Sequence, residues 1–486
     1  MNTTHKEKDI IVGLDIGTTK IACFIGKRAD DGRVKILGFG RTPSKGVEHG
    51  VVKNIKSTSE SICKAVEDAS AQAGIPVKEV YVGIAGQHIK SFSNSGSIMI
   101  PHDHKLIEQE DIDRLINEQY GIPLNPGEEI IHIFPQSFIV DGEELSNDNY
   151  PEGVAGKQLQ ANFHIVTGNT MNLMNIHESI ERAGLKIRGV VLEPVASSYA
   201  VLDARDRDAG VALVDIGGGT TDIAVFHETV IRHTTVLPLA GNSITNDIKE
   251  GCNILKNQAE TLKTRFGSCL PQNVSENDII SIPGIRSQAP REISMRTLAG
   301  IIKARTETIL EQVAYEIQKS GLSKRLAAGI VLTGGGAQLR HIKELTEFTT
   351  GIDTRIGLPD EHLVKDTDPE IINTMYATGI GLVLYGLERE EALRRNEEEP
   401  VMEEPVEEPE PQTITSPFDE LNAFGEATPE EPESKPVEEP KPEPKPEPKP
   451  ETKKQPRRNF INAIEDYFGR VFGDDTIRKE GTDEEF

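Results

Sequence analysis

One strand-and-turn pattern occurs twice in this chain, and that repetition limits the fold more than any other feature. The first copy reads Val12-Gly13-Leu14-Asp15-Ile16-Gly17-Thr18-Thr19 and the second Leu213-Val214-Asp215-Ile216-Gly217-Gly218-Gly219-Thr220-Thr221. In each, a buried apolar strand ends in an acid and runs into a glycine turn. Copies this far apart are no short-period solenoid. They imply two similar α/β domains facing one another, and 486 residues are enough for two or more cores at roughly 150 residues each.

The rest of the chain fits between these anchors. Asp9–Asp15 reads as a strand, followed by strands at Ile21–Gly26 and, after the hairpin signal Asp31-Gly32, at Val34–Gly40. Ser57 is placed to cap a helix that runs to about Ala73, where Gly74 and Pro76 stop it. Val80–Ile84 is another strand. From about Gln87 to Phe163 the texture changes to short strands, Pro and Gly turns and one helical stretch near Gln109–Tyr120, which together suggest a small inserted α/β unit. Leu173–Ala183 then reads as a helix, Ile187–Leu192 as a strand and Val195–Leu202 as a helix led in by Glu193-Pro194. Beyond the second turn come a strand (Asp222–His227) and a largely helical insertion (about Asn242–Gly321). Gly329–Thr333 is a strand running into Gly334-Gly335-Gly336, and Thr374–Leu387 closes the fold as an apolar helix.

Composition matters at the C-terminal end. The chain holds 53 Lys and Arg against 79 Asp and Glu, a net charge of −26. Residues 397–451 carry 19 acids, 4 lysines and 14 of the 29 prolines, so −15 of that charge sits in them and −11 in the remainder. Such a segment cannot bury a core, and 388–456 is expected to be a disordered linker. Its Lys441–Pro450 run favours extended polyproline II. The contour would reach ~230 Å. The acidic balance argues against bulk phosphate-backbone binding, so no nucleic-acid partner is expected. Cys23, Cys63, Cys252 and Cys269 are scattered without a CxxC, which argues against a zinc site or a disulfide framework. No run of about 18 apolar residues could span a bilayer, and Met1–Asp9 lacks the apolar region of a signal peptide.

After the linker, residues 457–473 form an isolated amphipathic pattern. Phe460, Ile461, Ile464, Tyr467, Phe468, Val471 and Phe472 fall within about 140° of arc at helical spacing. Asn462, Glu465, Asp466 and Arg470 take the other side, and Lys453, Lys454, Arg457 and Arg458 cluster upstream. A helix on a long tether has no core of its own for this stripe. It could lie in a membrane interface with the basic cluster on anionic lipids, or dock into a partner groove or back onto its own domains.

The glycine turns carry the chemistry. A turn without side chains lets backbone N–H groups approach phosphate oxygens; the hydroxyls of Thr18, Thr19, Thr220 and Thr221 add donors, and Lys20 adds a cation. Asp15 and Asp215 end their strands beside Gly17 and Gly217–Gly219, where they could hold a hydrated Mg²⁺. Either turn alone could be a mere hairpin; two matched turns point to phosphate. Gly334, Gly335 and Gly336 form a third turn that could let a purine or ribose lie against backbone. Glu260 and Lys263 share a helix face at i and i+3, either as a solvent-exposed ion pair or as contacts to the nucleoside.

These motifs together resemble the ATPase superfamily of actin, DnaK-type chaperones and sugar kinases, and over nearly the whole chain they are similar to the FtsA family of bacterial cell-division proteins. Leu14–Lys20 resembles the family's first phosphate motif, Glu193-Pro194-Val195-Ala196-Ser197 its connecting helix, and Ala240–Asp247 the start of its second insertion. Gln258–Lys263 resembles the adenosine-contacting helix and Ile330–Gly336 the adenosine turn. The resemblance implies an actin-like two-domain fold of duplicated ribonuclease-H-like domains. Subdomain 1A would comprise 9–86 and 164–203, inserted subdomain 1C 87–163, subdomain 2A 204–241 and 322–387, and subdomain 2B 242–321. Within 1C, His132–Gly142 looks like the family's strand pair, while Asn149–Gly156 matches only in part.

The same resemblance implies ATP and Mg²⁺ as ligands, self-assembly into actin-like filaments, and binding of the FtsZ C-terminal peptide by 2B, with Arg296 and Arg305 as candidate partners for an acidic peptide. It implies recruitment of later division proteins, and a place on the cytoplasmic face of the cell inner membrane at the septum, held by the amphipathic helix. Glu193 lies where relatives orient a water, so weak or regulatory ATPase activity at most is expected. The competing reading is a small-molecule kinase of the same superfamily. A chaperone would need a folded peptide-binding domain after about residue 387, where the acidic Pro-rich stretch begins.

Overall fold

The computed structural model describes residues 10–101, 106–146, 150–283 and 289–398. The expected linker beyond residue 398, and the amphipathic stripe from Phe460 to Phe472, lie outside the described residues, as does Asn149.

The two halves are built alike. In the first, the sheet order is Lys186–Leu192, Glu79–Ile84, Ile10–Ile16, Lys20–Arg28, Val34–Pro43. In the second it is Thr354–Ile356, Ile330–Thr333, Val211–Ile216, Thr221–His227, Val230–Leu237. Each half is an antiparallel three-strand meander whose first strand also pairs in parallel with a strand reached by a crossover. The strands at the centre are apolar throughout because both faces are covered: Val211, Ala212, Leu213 and Val214 are all fully buried. The helix Ile55–Ala73 packs on the first sheet. Its cap is Asn54 rather than Ser57: Asn54 Oδ1 accepts the Ser57 N–H, and Gly74 ends the helix in a left-handed conformation.

The apolar helix at the end of the fold runs from Ala377 to Glu398, so the expected linker start at 388 moves outward. Its docking also moves residues 377–387 of the expected 322–387 block to the first half, while the strands Ile330–Thr333 and Thr354–Ile356 stay in the second sheet. Ile380, Leu382, Val383 and Leu387 join the core of the first sheet with Leu14, Phe24 and Tyr81. Polar ties on the same side extend the helix: Arg28 Nη2 donates to Glu391 Oε2 at 3.1 Å, and Arg188 Nε and the Tyr81 hydroxyl donate to Glu390 Oε1 at 2.7 and 2.8 Å.

The first insertion is a four-stranded sheet in the order Lys90–Met99, Gln158–Asn169, Glu128–Val140, Glu143–Glu144, with the helix Gln109–Glu118 over one face. It has its own core around Ile112, Leu115 and Phe163. The expected strand pair at His132–Gly142 is the end of one long strand and the turn after it. This unit also reaches the second half: Ser91 Oγ donates to the Thr234 carbonyl at 2.8 Å, Gln136 Nε2 to the Ile231 carbonyl at 2.9 Å, and Arg232 Nη1 to the Gln136 carbonyl at 2.9 Å. The second insertion comprises the helices Gly241–Cys252, Lys256–Phe266 and Met295–Lys319 with the hairpin Ile279–Ile282 and Arg291–Ser294. Among the described residues, no helix is long and apolar enough to cross a membrane.

Candidate functional site

The repeated turns have the same length. Ile16 pairs with Ile21 around Gly17–Lys20, and Ile216 pairs with Thr221 around Gly217–Thr220. Matching Thr18-Thr19 to Thr220-Thr221 therefore misaligns the repeat. By cross-strand register Thr18 and Thr19 correspond to Gly218 and Gly219, Lys20 to Thr220, and Ala22 to Asp222. The two turns touch. A Cβ on Gly218 would lie 2.3 Å from Thr19 Cγ2, and one on Gly219 would lie 2.4 Å from Thr18 Oγ1, so glycine is required where the facing half brings threonine. Thr221 departs from expectation. It is fully buried and its hydroxyl donates to the Leu239 carbonyl at 2.7 Å, because it is already part of the strand rather than the turn.

The third glycine turn closes the same space. Gly334 has φ 83° and ψ 175°, a region open essentially to glycine alone, and its Cα lies against Asp215 and Ile216. On the opposite wall, Lys263 Nζ and Glu260 Oε2 are 2.8 Å apart. Only the lysine end of this pair is buried: the Lys263 side chain is 12% exposed against 42% for Glu260, and Lys263 also donates to the Gly241 carbonyl at 3.0 Å and to Thr245 Oγ1 at 2.9 Å. Thr245 in turn donates to Glu260. Together these walls enclose a cleft of about 380 Å³, within the ~300–1,000 Å³ that small-molecule sites occupy. A larger, more open hollow of about 690 Å³ lies by Ser93, Asn162 and Arg232; no glycine turn lines it, so we place the chemistry in the cleft.

Four carboxylates converge at the turn end of the cleft: Asp15, Glu193, Asp215 and Asp222. Lys20 Nζ bonds Asp15 Oδ2 at 2.9 Å. Burial works against the Lys20 ammonium, but Asp15, with Asp215 and Glu193 beyond it, holds its pKa above the usual value. Asp215 Oδ2 accepts from Ser197 Oγ at 2.8 Å and Thr378 Oγ1 at 3.3 Å. Burial nevertheless raises the Asp215 pKa, with the Ser197 bond and Lys20 pulling the other way. Burial followed by neighbouring carboxylates pushes Glu193 and Asp222 well above the ordinary range. Asp222 Oδ2 accepts from Thr220 Oγ1 at 3.0 Å, while its Oδ1 is buried without a partner.

This arrangement fits a divalent cation: acids crowd together, one lysine offsets them, and one buried oxygen is unsatisfied. Among the described residues no three His, Cys, Asp or Glu side chains stand close enough to ligate a metal jointly. A Mg²⁺ that keeps several of its waters suits such a site, with Asp15, Asp215 and Asp222 as outer partners. Its charge would relieve the carboxylate repulsion and offset that of a bound polyphosphate.

A family model described as "Cell division protein FtsA" matches residues 212–381, and one described as "SHS2 domain inserted in FTSA" matches residues 86–167. The cell division protein FtsA of Pseudomonas aeruginosa is 36% identical over 381 residues, covering 78% of this chain and 90% of that protein. The chain belongs to the FtsA family. FtsA of Escherichia coli K12 is 33% identical over 389 residues, 79% of this chain and 91% of its own length. Among solved structures, a PilM-PilN type IV pilus biogenesis complex aligns at TM-score 0.56 and 16% identity, covering 78% of this chain and 98% of that one. That likeness concerns the fold alone, which is actin-like. The inserted four-stranded sheet is the FtsA family's SHS2 domain.

Within this FtsA-family cleft the structure brings together every turn residue that the sequence singled out except Thr221, along with Glu260, Lys263 and Glu193. It does not bring Arg296 and Arg305 there. Arg305 makes a two-point ion pair with Asp247, at 2.6 and 3.0 Å, and Arg296 pairs with Glu276. Asp222, Ser197 and Thr378 were missed. Asp222 could have been found by reading Gly217–Thr220 as a four-residue hairpin turn, which sets it directly opposite Asp215.

Asp222 yields a pH-dependent expectation. A carboxyl whose pKa is raised on folding binds protons more tightly in the folded state. That contribution favours folding as pH falls through the raised value and is lost as pH rises through it. Asp222→Asn removes one such charge. In magnesium-free buffer it is expected to raise the melting temperature more at mildly alkaline than at mildly acid pH, and any stabilisation that added MgCl₂ would give the natural chain is expected to shrink. Equal melting curves for both proteins at both pH values would contradict the assigned carboxylate crowding.

Proposed function

We propose that this FtsA-family protein binds ATP with Mg²⁺ between its two halves, assembles into actin-like filaments, and tethers the FtsZ ring to the inner face of the cytoplasmic membrane. The reading is carried by one observation: two glycine turns of equal length and register, one from each half, close on the same cleft as a third glycine turn and the Glu260–Lys263 pair. Gly17–Lys20 and Gly217–Thr220 would surround the phosphates. Gly334–Gly336, Glu260 and Lys263 would hold the nucleoside. Asp15 and Asp215 would hold the hydrated metal, with Asp222 beside them. A ligand that bridges both halves fixes their relative angle, which is how nucleotide would govern filament growth.

Turnover is expected to be weak. Glu193 lines the cleft beside Asp15, Asp215 and Asp222 and would be the residue to order a water; in the metal-free chain burial, then these carboxylates, raises its pKa, and only an ionised carboxylate can take a proton from that water. Nucleotide would thus serve chiefly as a structural ligand.

For the FtsZ tail we keep the second insertion, 242–321, as the receptor, with a changed role for its arginines. An acidic peptide must compete with Asp247 for Arg305 and with Glu276 for Arg296. Arg305→Glu sets two acids side by side and leaves none of that attraction, so peptide affinity is expected to fall by about tenfold or more. Fluorescence anisotropy with a labelled FtsZ C-terminal peptide measures it. Unchanged affinity would move the peptide site away from Arg305.

A further inference from the structure

A small hairpin outside every recognised motif touches both turns. The short strands Val47–Glu48 and Val51–Val52 pair with each other, and His49-Gly50 is the turn between them. His49 has φ 48°, a left-handed conformation that strains a side-chain-bearing residue. Its ring reaches the other half of the molecule, where Nδ1 lies 3.0 Å from the Gly219 carbonyl oxygen. A carbonyl only accepts, so this nitrogen carries the proton. The next residue grips the first turn: the Gly50 N–H donates to Thr18 Oγ1 at 3.0 Å. That bond uses the oxygen of Thr18 as acceptor and leaves its hydroxyl proton for another partner.

The hairpin is a firm base for such a contact. Val47, Val51 and Val52 are buried, Asn175 Nδ2 donates to the Val52 carbonyl at 3.2 Å, and Lys53 N–H donates to the Gly46 carbonyl at 2.7 Å. Strain at a residue so held, aimed at the turn of the facing half, is the pattern of a positioning contact.

We propose that His49 is a latch that holds the Gly217–Thr220 turn against the Gly17–Lys20 turn and sets how fast the cleft opens. Its effect on nucleotide release rests on the ATP reading above; the latch itself does not. Hydrogen–deuterium exchange of the nucleotide-free full-length chain therefore tests it separately. His49→Ala removes the ring. His49→Gly removes the ring and also the backbone strain. Both are expected to speed exchange of the 217–220 amides about fivefold, the worth of one ordinary hydrogen bond, while the melting temperature of the glycine variant holds or rises. Unchanged exchange in both variants overturns the latch, and so does a glycine variant that exchanges more slowly than the natural chain, since strain alone would then be the residue's effect. Chase of a fluorescent ATP analogue gives the functional arm, where release about fivefold faster is expected. Faster exchange with unchanged release overturns the control of release. If exchange speeds up but the natural chain takes up no analogue, the latch stands and the ATP reading falls.

Discussion

Gly334→Ala is expected to abolish ATP uptake and to lower the melting temperature by several degrees. The backbone at φ 83° and ψ 175° is open to glycine and costs other residues about 1–3 kcal/mol. A Cβ there would also lie 2.2 Å from Asp215 Oδ1 and 2.6 Å from the Ile216 carbonyl oxygen. Neither neighbour can yield cheaply. Asp215 is held by Ser197 and Thr378, and the turn is held because Gly334 N–H donates to the Thr374 carbonyl at 3.1 Å while Thr374 Oγ1 donates to the Gly334 carbonyl at 2.8 Å. Whichever moves, the third glycine turn and Asp215 lose their registration. Gly335→Ala is the control, because a Cβ there meets nothing within 4 Å, so the fold should hold. Calorimetric titration beside thermal melting separates the cases. A Gly334→Ala protein with natural ATP affinity would break the proposed link between the third turn and Asp215.

Removing the chain from Arg457 onward is expected to release the protein from membranes. At helical spacing, the seven apolar residues from Phe460 to Phe472 would fall on one stripe. Burying each in an interface is worth up to ~1.5–3 kcal/mol before ordering costs are set against it. Even a small net remainder of ~3 kcal/mol is more than a hundredfold in partitioning. The proposed filament would present many such segments and add avidity, so the loss should be largest where the protein has polymerised. Co-sedimentation with anionic vesicles compares the two chains. If both sediment equally, the stripe docks on protein rather than lipid.

The parts of the fold that sequence made legible are those carried by local signals. Both repeated glycine turns, the third glycine turn and the i, i+3 spacing of Glu260 and Lys263 are readable because each depends on neighbours in the chain. What escaped depends on partners far away. Asp222 stands opposite Asp215 only through cross-strand register, and the shared Thr-Thr of the two turns drew the alignment off that register. The helix Ala377–Glu398 is apolar enough to be seen as buried, but nothing in its own residues says that it returns to the first sheet. Arg305 looks available on its helix until Asp247, from another helix, meets it. Ser197 and Thr378 reach Asp215 from separate helices, and His49 reaches Gly219 across the cleft.

The measurement closest to the centre of this account is isothermal titration of the purified natural chain with ATP, with and without Mg²⁺. Twin turns that clasp a single triphosphate should give one saturable site per chain, with uptake strengthened by the metal. A flat titration in magnesium-replete buffer would contradict the account at its base, because the paired turns would then hold no phosphate.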